Sequence, residues 1–324
     1  MGMDEQQHYL IVKIKELADS LQRVPLISEF QSMLPRVSIE KTFGTYDNLL
    51  KGAGLLTTVN EPKFEYREPR LLTLDIETKP LKVWSWGLWE QNISLDMIIE
   101  DWSILSIAFK WVGNDEVFYY DVSKEQDICN DFKVVHAAWE ALNHCDVLIT
   151  QNGKKFDEKK LNAKFEQHGL GAPLPYRHID TLQIKKKKFA LTSNKLEYST
   201  NKFNEKYKKL KHAKFSGMSL WLECMKGNPE AWAEMKEYNI HDVLALEELY
   251  INHLRHWDKS INFGAYTGAK HSCPRCGSAD LIEKEKLTYT NTGAFQNYQC
   301  KNCKSYSTSK HNELSPSTRK NQLK

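Results

Sequence analysis

Nowhere does the chain approach the ~18 consecutive apolar residues that a membrane-crossing helix needs, so no membrane partner is expected. The start, Met1-Gly2-Met3-Asp4-Glu5-Gln6-Gln7-His8, lacks the cationic region and apolar run of a secretion signal. The expectation is therefore a cytoplasmic protein in a reducing compartment, where disulfides are rare. Charge of one sign is also scarce in excess. A formal net charge of +3 over 324 residues does not by itself argue for a polyanionic partner. No internal repeat is visible.

What is present is an ordinary soluble composition, with 41% hydrophobic and 27% charged residues. The length suits one substantial core and one or two small satellites. Of seven cysteines, Cys129, Cys145 and Cys224 stand singly among apolar residues and read as small buried side chains. The other four form Cys273-Pro-Arg-Cys276 and Cys300-Lys-Asn-Cys303, 23 residues apart, somewhat longer than the roughly 15–20 of a compact ribbon. Four thiolates so spaced suit a closed tetrahedral site for one structural Zn²⁺. Leu287–Thr290 and Gln296–Gln299, joined by Asn291-Thr292-Gly293, read as strands of a zinc ribbon over 270–307. Its role stays open between purely structural and DNA- or partner-binding.

Residues 1–60 read as a helical unit, with Leu10, Ile11, Ile14, Leu17 and Leu21 at helical spacing and Pro25 and Pro35 as punctuation. A polar stretch, 57–69, reads as a linker. From Arg70 to about 260 the pattern is α/β. Strands are expected at 71–77, 102–112, 116–122 and 147–150, with a hairpin turn at Gly113-Asn114-Asp115. Helices are expected at 132–143 and 158–168, and a long one runs from the Asn228-Pro229 cap to about Trp257. The Lys-, Ser- and Asn-rich end, 308–324, reads as a disordered tail.

Asp75 and Glu77, two apart on the most apolar strand, project from one face and would repel each other without a cation between them. Asn152-Gly153-Lys154-Lys155-Phe156-Asp157 follows a short strand and opens a helix. Alone, Asp157 would read as a first-turn acid. Tyr238 and Asp242 lie four apart on the long helix and share a face. Each pattern is commonplace by itself, but the ordered set is not.

The set Asp-x-Glu, Asn-Gly-x-x-Phe-Asp and Tyr-x-x-x-Asp resembles the DEDD superfamily of 3′–5′ exonucleases, over Arg70 to Trp257. Its wording is similar to the proofreading domain of family-B DNA polymerases and stand-alone phage exonucleases. His178-Ile179-Asp180-Thr181-Leu182 and Ser193-Asn194-Lys195-Leu196-Glu197-Tyr198 look like the segments such domains place between the second and third motifs. The resemblance implies an RNase H-like mixed sheet flanked by helices. It also implies that Asp75, Glu77, Asp157 and Asp242 hold two Mg²⁺ or Mn²⁺ ions, one activating a water and the other stabilising the leaving 3′ oxygen. Tyr238 would orient that water, and nucleoside 5′-monophosphates would be released. The superfamily's histidine branch has its histidine five residues before the last acid; Glu237 stands there, so the tyrosine branch is indicated. Thr78, Asn152 and Phe156 match positions that bind the terminal nucleotide, with a core aromatic as the other reading of Phe156. Asp180 reads as a supporting group or a helix cap, and His241 as a structural or surface histidine.

Between Lys185 and Lys214 eleven lysines face only Glu197 and Glu205, interleaved with Phe189, Tyr198, Phe203, Tyr207 and Phe215. A single-stranded 3′ end needs such a basic, aromatic track, so nucleic-acid contact is expected here. The N-terminal unit, with Glu29-Phe30, Ile39, Phe43-Gly44-Thr45-Tyr46, Leu50 and Ala53-Gly54-Leu55, resembles the helical repeat found beside homing endonucleases. That implies a helix-turn-helix-like DNA contact, against a packing or docking role. The main expectation is thus a DNA 3′–5′ exonuclease of replication proofreading, repair or recombination, in a bacterial or phage-infected cytoplasm, with any polymerase as a separate partner. The alternatives are an exoribonuclease, a junction endonuclease and a nucleic-acid-binding scaffold with an inactive core.

Overall fold

The computed structural model describes residues 5–34, 38–55, 66–208, 214–269 and 271–321, without the side chain of Glu40. It divides into two compact units, Met1–Glu65 and Tyr66–Lys324.

The first unit consists of α1 (Glu5–Leu21), α2 (Ile27–Met33), α3 (Ile39–Phe43) and α4 (Tyr46–Gly52). The helical spacing of Leu10 and Ile14 on α1 puts both in a core with Phe30 and Leu49. Each such fully buried side chain contributes about 1.5–3 kcal/mol. Thr45 starts α4 by accepting from the Asn48 N–H at 3.2 Å.

The second unit opens with β1 (Leu71–Thr78), then a small hairpin of β2 (Lys82–Val83) and β3 (Ile98–Glu100). The main sheet continues with β4 (Ile104–Trp111) and β5 (Val117–Asp121), then α5 (Phe132–His144), β6 (Val147–Thr150), α6 (Asp157–Gln167) and β7 (Arg177–Asp180). Three shorter helices follow, α7 (Thr181–Lys188), α8 (Leu196–Phe203) and α9 (Met218–Met225), before the long α10 (Pro229–Glu248). The five strands stand in the order β5-β4-β1-β6-β7. β4 runs antiparallel to β1 and to β5, whereas β1, β6 and β7 are parallel. The sheet is therefore mixed, as the resemblance implies.

Alternation along β1 decides what each face of the sheet meets. Leu72, Leu74 and Ile76 are buried in one cluster with Val134 and Ala138 of α5 and Leu161 and Phe165 of α6. Thr73, Asp75 and Glu77 point the other way, opposite Lys110, Ala108 and Ser106 of β4. That polar face is crossed by α10: Asn239 bonds Asp75 and Ser106, and Glu247 pairs with Lys110 at 2.5 Å.

α10 begins as its sequence predicts, with Asn228 accepting from the Glu230 N–H and Pro229 in the first turn. It does not run as an α-helix to Trp257. Leu249–Leu254 form a π-helical turn, and Arg255 donates to the Tyr250 carbonyl five residues back. The ribbon is formed by β8 (Leu281–Thr290), β9 (Gly293–Cys300) and β10 (Tyr306–Thr308), after the short α11 (Gly264–Thr267). The segment read above as a disordered tail lies along the ribbon, where the Ser309 and Glu313 N–H groups donate to the carbonyls of Gln296 and Ala294. It ends in α12 (Pro316–Lys320). Among the described residues no helix is long and apolar enough to cross a membrane.

Candidate active site

Three elements bring the acids of the sequence motifs together. β1 carries Asp75 and Glu77, α6 begins with Asp157, and α10 carries Tyr238 and Asp242. The parallel pairing of β1 with β6 ends at Thr73, opposite Ile149. Beyond that point no strand among the described residues pairs with β1 on this side, and the Ile76 N–H donates to Asp157 Oδ1 at 3.2 Å. Asn239 on α10 holds Asp75 Oδ2 through its Nδ2 at 2.7 Å, while its Oδ1 accepts from Ser106 Oγ at 3.1 Å. The Trp221 indole N–H on α9 donates to Glu77 Oε2 at 3.2 Å. Trp221 also packs edge-on against Tyr238, with centroids 6.2 Å apart.

The electrostatics follow from this crowding. Loss of hydration raises the Asp75 pKa well above the ordinary carboxylate range; Glu77, Asp157 and Asp242 raise it further, and Asn239 only partly opposes them. Glu77 is pushed up to about 8, first by desolvation and then by Asp242, against the Trp221 hydrogen bond. Asp157 rises to about 7 through desolvation, opposed by the backbone N–H groups it accepts from. Desolvation also raises Tyr238, helped by the negative charges of Asp242, Glu77 and Asp75. Ionised together, these acids repel one another, and hard divalent cations are the natural counter-charge for such an oxygen-donor set.

The loop before α6 is tightly built. Asn152 adopts φ +66°, a left-handed conformation that Asn tolerates better than most side chains, and donates its N–H to Asp180 Oδ1 at 2.9 Å. Asp180 also accepts from Leu182 N at 3.0 Å, so it serves both as the cap of α7 and as a brace for this loop. At Gly153 a Cβ would lie 2.1 Å from Thr150 Oγ1, so only glycine fits. Phe156 is 39% exposed, which removes the core-aromatic reading. Thr78 follows a bulge in the β1–β4 register, which re-aims it relative to Glu77. His241 is partly buried and packs edge-on against Tyr207.

Part of the basic segment turns inward, while Lys186, Lys187 and Lys188 stay exposed. Lys185 is fully buried, its ammonium donating to Ser199 Oγ at 2.7 Å and the Asn194 carbonyl at 3.1 Å. Phe189, Phe203 and Phe215 pack against the core clusters. Lys209 and Lys211 lie outside the described residues.

Sequence reasoning passed over Asn239 and Trp221. It also missed the β2–β3 loop, which leaves Trp84, Trp86 and Trp89 at 72, 96 and 83% exposure. The root of that hairpin is fixed next to Thr78 by Lys79 and Lys82, which both pair with Glu100, at 2.9 and 2.8 Å. A W-x-W-x-x-W run between polar residues was the available signal.

At the ribbon, the four cysteine sulfurs lie within 4.8 Å of one another. Cys273–Cys303 and Cys276–Cys300 are 3.6 and 3.5 Å apart, too far for disulfides. The spacing is close to the edge of a tetrahedron with metal–sulfur bonds of ~2.3 Å. In both knuckles the residue after the second cysteine turns left-handed, Gly277 at φ +78° and Lys304 at φ +60°. The N–H of each donates back to the carbonyl of its first cysteine, Cys273 or Cys300. This group can hold a metal ion.

Residues 100–254 match the model of a family described as RNase H superfamily. The core is RNase H-like. The match takes in Asp157, Tyr238 and Asp242 and begins after Asp75 and Glu77. No curated protein matches the chain. Among solved structures, the family B DNA polymerase from the hyperthermophilic archaeon Pyrobaculum calidifontis is similar over 69% of this chain, with a TM-score of 0.41 and 13% identity. The similarity spans 31% of that polymerase's chain.

Proposed function

We propose that the chain is a divalent-metal-dependent 3′–5′ exonuclease acting on DNA and releasing nucleoside 5′-monophosphates. The observation that carries this reading is the convergence of Glu77, Asp157 and Asp242 on Asp75, each of the three close enough to raise its proton affinity. Residues selected for stability alone do not gather this way, because the folded state then stores their repulsion.

In this reading the four carboxylates hold two Mg²⁺ or Mn²⁺ ions, which supply water activation and charge neutralisation at the scissile phosphate. Asn239 and Trp221 fix the rotamers of Asp75 and Glu77, so the oxygens are presented without reorganisation. Tyr238, kept neutral by burial and by its acidic surroundings, can donate a hydrogen bond and position the attacking water. Phe156, Asn152 and Thr78 border the cluster and receive the terminal nucleotide. The four-cysteine knuckle binds one Zn²⁺. It and the N-terminal helical unit supply further nucleic-acid contacts, and a separate polymerase would be the partner in proofreading.

A 5′-labelled single-stranded DNA oligonucleotide and its RNA counterpart, incubated with Mg²⁺, Mn²⁺ or EDTA, test this. A metal-dependent ladder shortening from the DNA 3′ end is expected. Cleavage of RNA alone would replace the substrate, and binding without cleavage would overturn the enzymatic reading.

A further inference from the structure

Asp157 belongs to the carboxylate cluster, but Lys154, three residues earlier in the same loop, lines a separate cavity of about 250 Å³. The opposite walls come from Lys187 and Lys188 at the end of α7 and from Trp257 and Lys259 beyond the π-helical turn. Among the described residues no carboxylate lies within ion-pair distance of Lys154, Lys187, Lys188 or Lys259. Two acids do line the cavity, Asp180 and Asp258, but both are buried and committed inward. Asp180 Oδ1 accepts from Asn152 and Leu182. Asp258 accepts from the Ser260 N–H at 2.8 Å and the Tyr250 hydroxyl at 3.3 Å. The surface therefore presents unneutralised ammonium groups.

Trp257 adds a second, independent feature. Its ring is held edge-on by Phe189, centroids 5.5 Å apart, yet is 44% exposed, so an aromatic surface is fixed in place and open to solvent. Cations around a fixed aromatic ring are what a nucleotide requires, the phosphate meeting the charges and the base stacking on the ring. The cavity is smaller than the several hundred Å³ of drug-sized ligand sites, which suits one nucleotide unit.

We infer that this cavity binds an internal nucleotide of the nucleic-acid strand whose end lies at the carboxylates, with the phosphate among Lys154, Lys187, Lys188 and Lys259 and the base on Trp257. The inference rests on the nuclease reading for the identity of the strand. Because phosphate and base face are the groups recognised, DNA and RNA strands are held alike.

The test measures binding of short single-stranded DNA and RNA by fluorescence anisotropy in EDTA across a salt series, so that no hydrolysis is needed. The Lys187→Gln/Lys188→Gln/Lys259→Gln variant changes only exposed side chains. It is expected to lower the slope of log affinity against log salt by about 0.7, the amount for one lost phosphate contact on a single strand. Trp257→Ala is expected to weaken binding about tenfold with the slope unchanged. Wild-type slope and affinity in the lysine variant would overturn the site. So would a loss confined to a free 5′-mononucleotide used as competitor, since that assigns the cavity to a small ligand. Lysine-dependent binding by a chain that cleaves nothing would keep this site and remove the nuclease reading; cleavage with lysine-independent binding would do the reverse.

Discussion

The Ile76 backbone N–H donates to Asp157 Oδ1 at 3.2 Å, at the point where β1 has outrun its parallel neighbour β6. One carboxylate thus satisfies a strand donor left without a ladder partner and takes its place among the acids of β1. The two roles separate by substitution. Asp157→Asn keeps an acceptor for Ile76 but removes the charge. Nuclease activity is expected to fall about 10²–10³-fold, while the melting temperature in EDTA stays level or rises because one repulsive charge is gone. Retained activity, or a melting temperature as low as that of Asp157→Ala, would sink this division of labour.

The proton affinities predict how metal and pH interact. Glu77 and Asp157 titrate near 8 and 7 in the folded chain, against roughly 4 for unfolded carboxylates. The metal-free protein therefore holds protons that the unfolded chain has released. That stabilisation is full below pH ~4 and is lost as pH rises through 7 to 8. Divalent cations replace those protons, so the rise in melting temperature on adding Mg²⁺ or Mn²⁺ is expected to grow between about pH 6 and 8.5. An increment that is flat across this range would contradict the carboxylate site.

Lys185 gives the opposite signature. Burial lowers its pKa to about 8, with Asp180 partly opposing. Between pH 8 and ~10.4 the unfolded chain binds a proton that the folded chain does not, so this residue makes stability rise with pH there. Lys185→Met removes that rise, and denaturant melts at pH 8 and 10 would show the slope vanish relative to wild type.

Removing metal from the four-cysteine knuckle is expected to lower the melting temperature, and elemental analysis should find one zinc per chain. Cys276→Ser is expected to abolish the stoichiometric zinc and to cost several kcal/mol of stability. A chain that purifies zinc-free with an unchanged melting temperature would refute the zinc assignment.

Trp86 and Trp89 of the β2–β3 loop are 96 and 83% exposed, so folding buries little of either ring. Trp86→Ser/Trp89→Ser is expected to change stability by no more than about 0.5 kcal/mol. A larger loss in denaturant titration would mean that these rings pack in the folded state.

How far the sequence could be read depends on the range of the interactions involved. β1, β4 and α5 announced themselves because alternation and helical spacing are local, and the order of the acidic motifs pointed to one cluster. Asn239 and Trp221 were silent because their partners, Asp75 and Glu77, are over a hundred residues away and become neighbours only once α10 crosses the sheet. The lysine run is only partly legible for a related reason. Counting charges does not reveal that Lys185 turns inward to Ser199, or that Phe189 and Phe203 face the core.

The Arg255 guanidinium, one residue past the π-helical turn, donates to the Arg275 carbonyl inside the first cysteine knuckle at 2.7 Å, and the Phe263 N–H donates to the Pro274 carbonyl at 2.9 Å. Ile261 and Phe263, buried in the second core cluster, lie on the strip of chain so fastened. The first knuckle is therefore the clasp of that strip, and deleting it would release one edge of the second core cluster. In native-state hydrogen exchange the amides of the knuckle and of the end of α10 should open together as one cooperative unit.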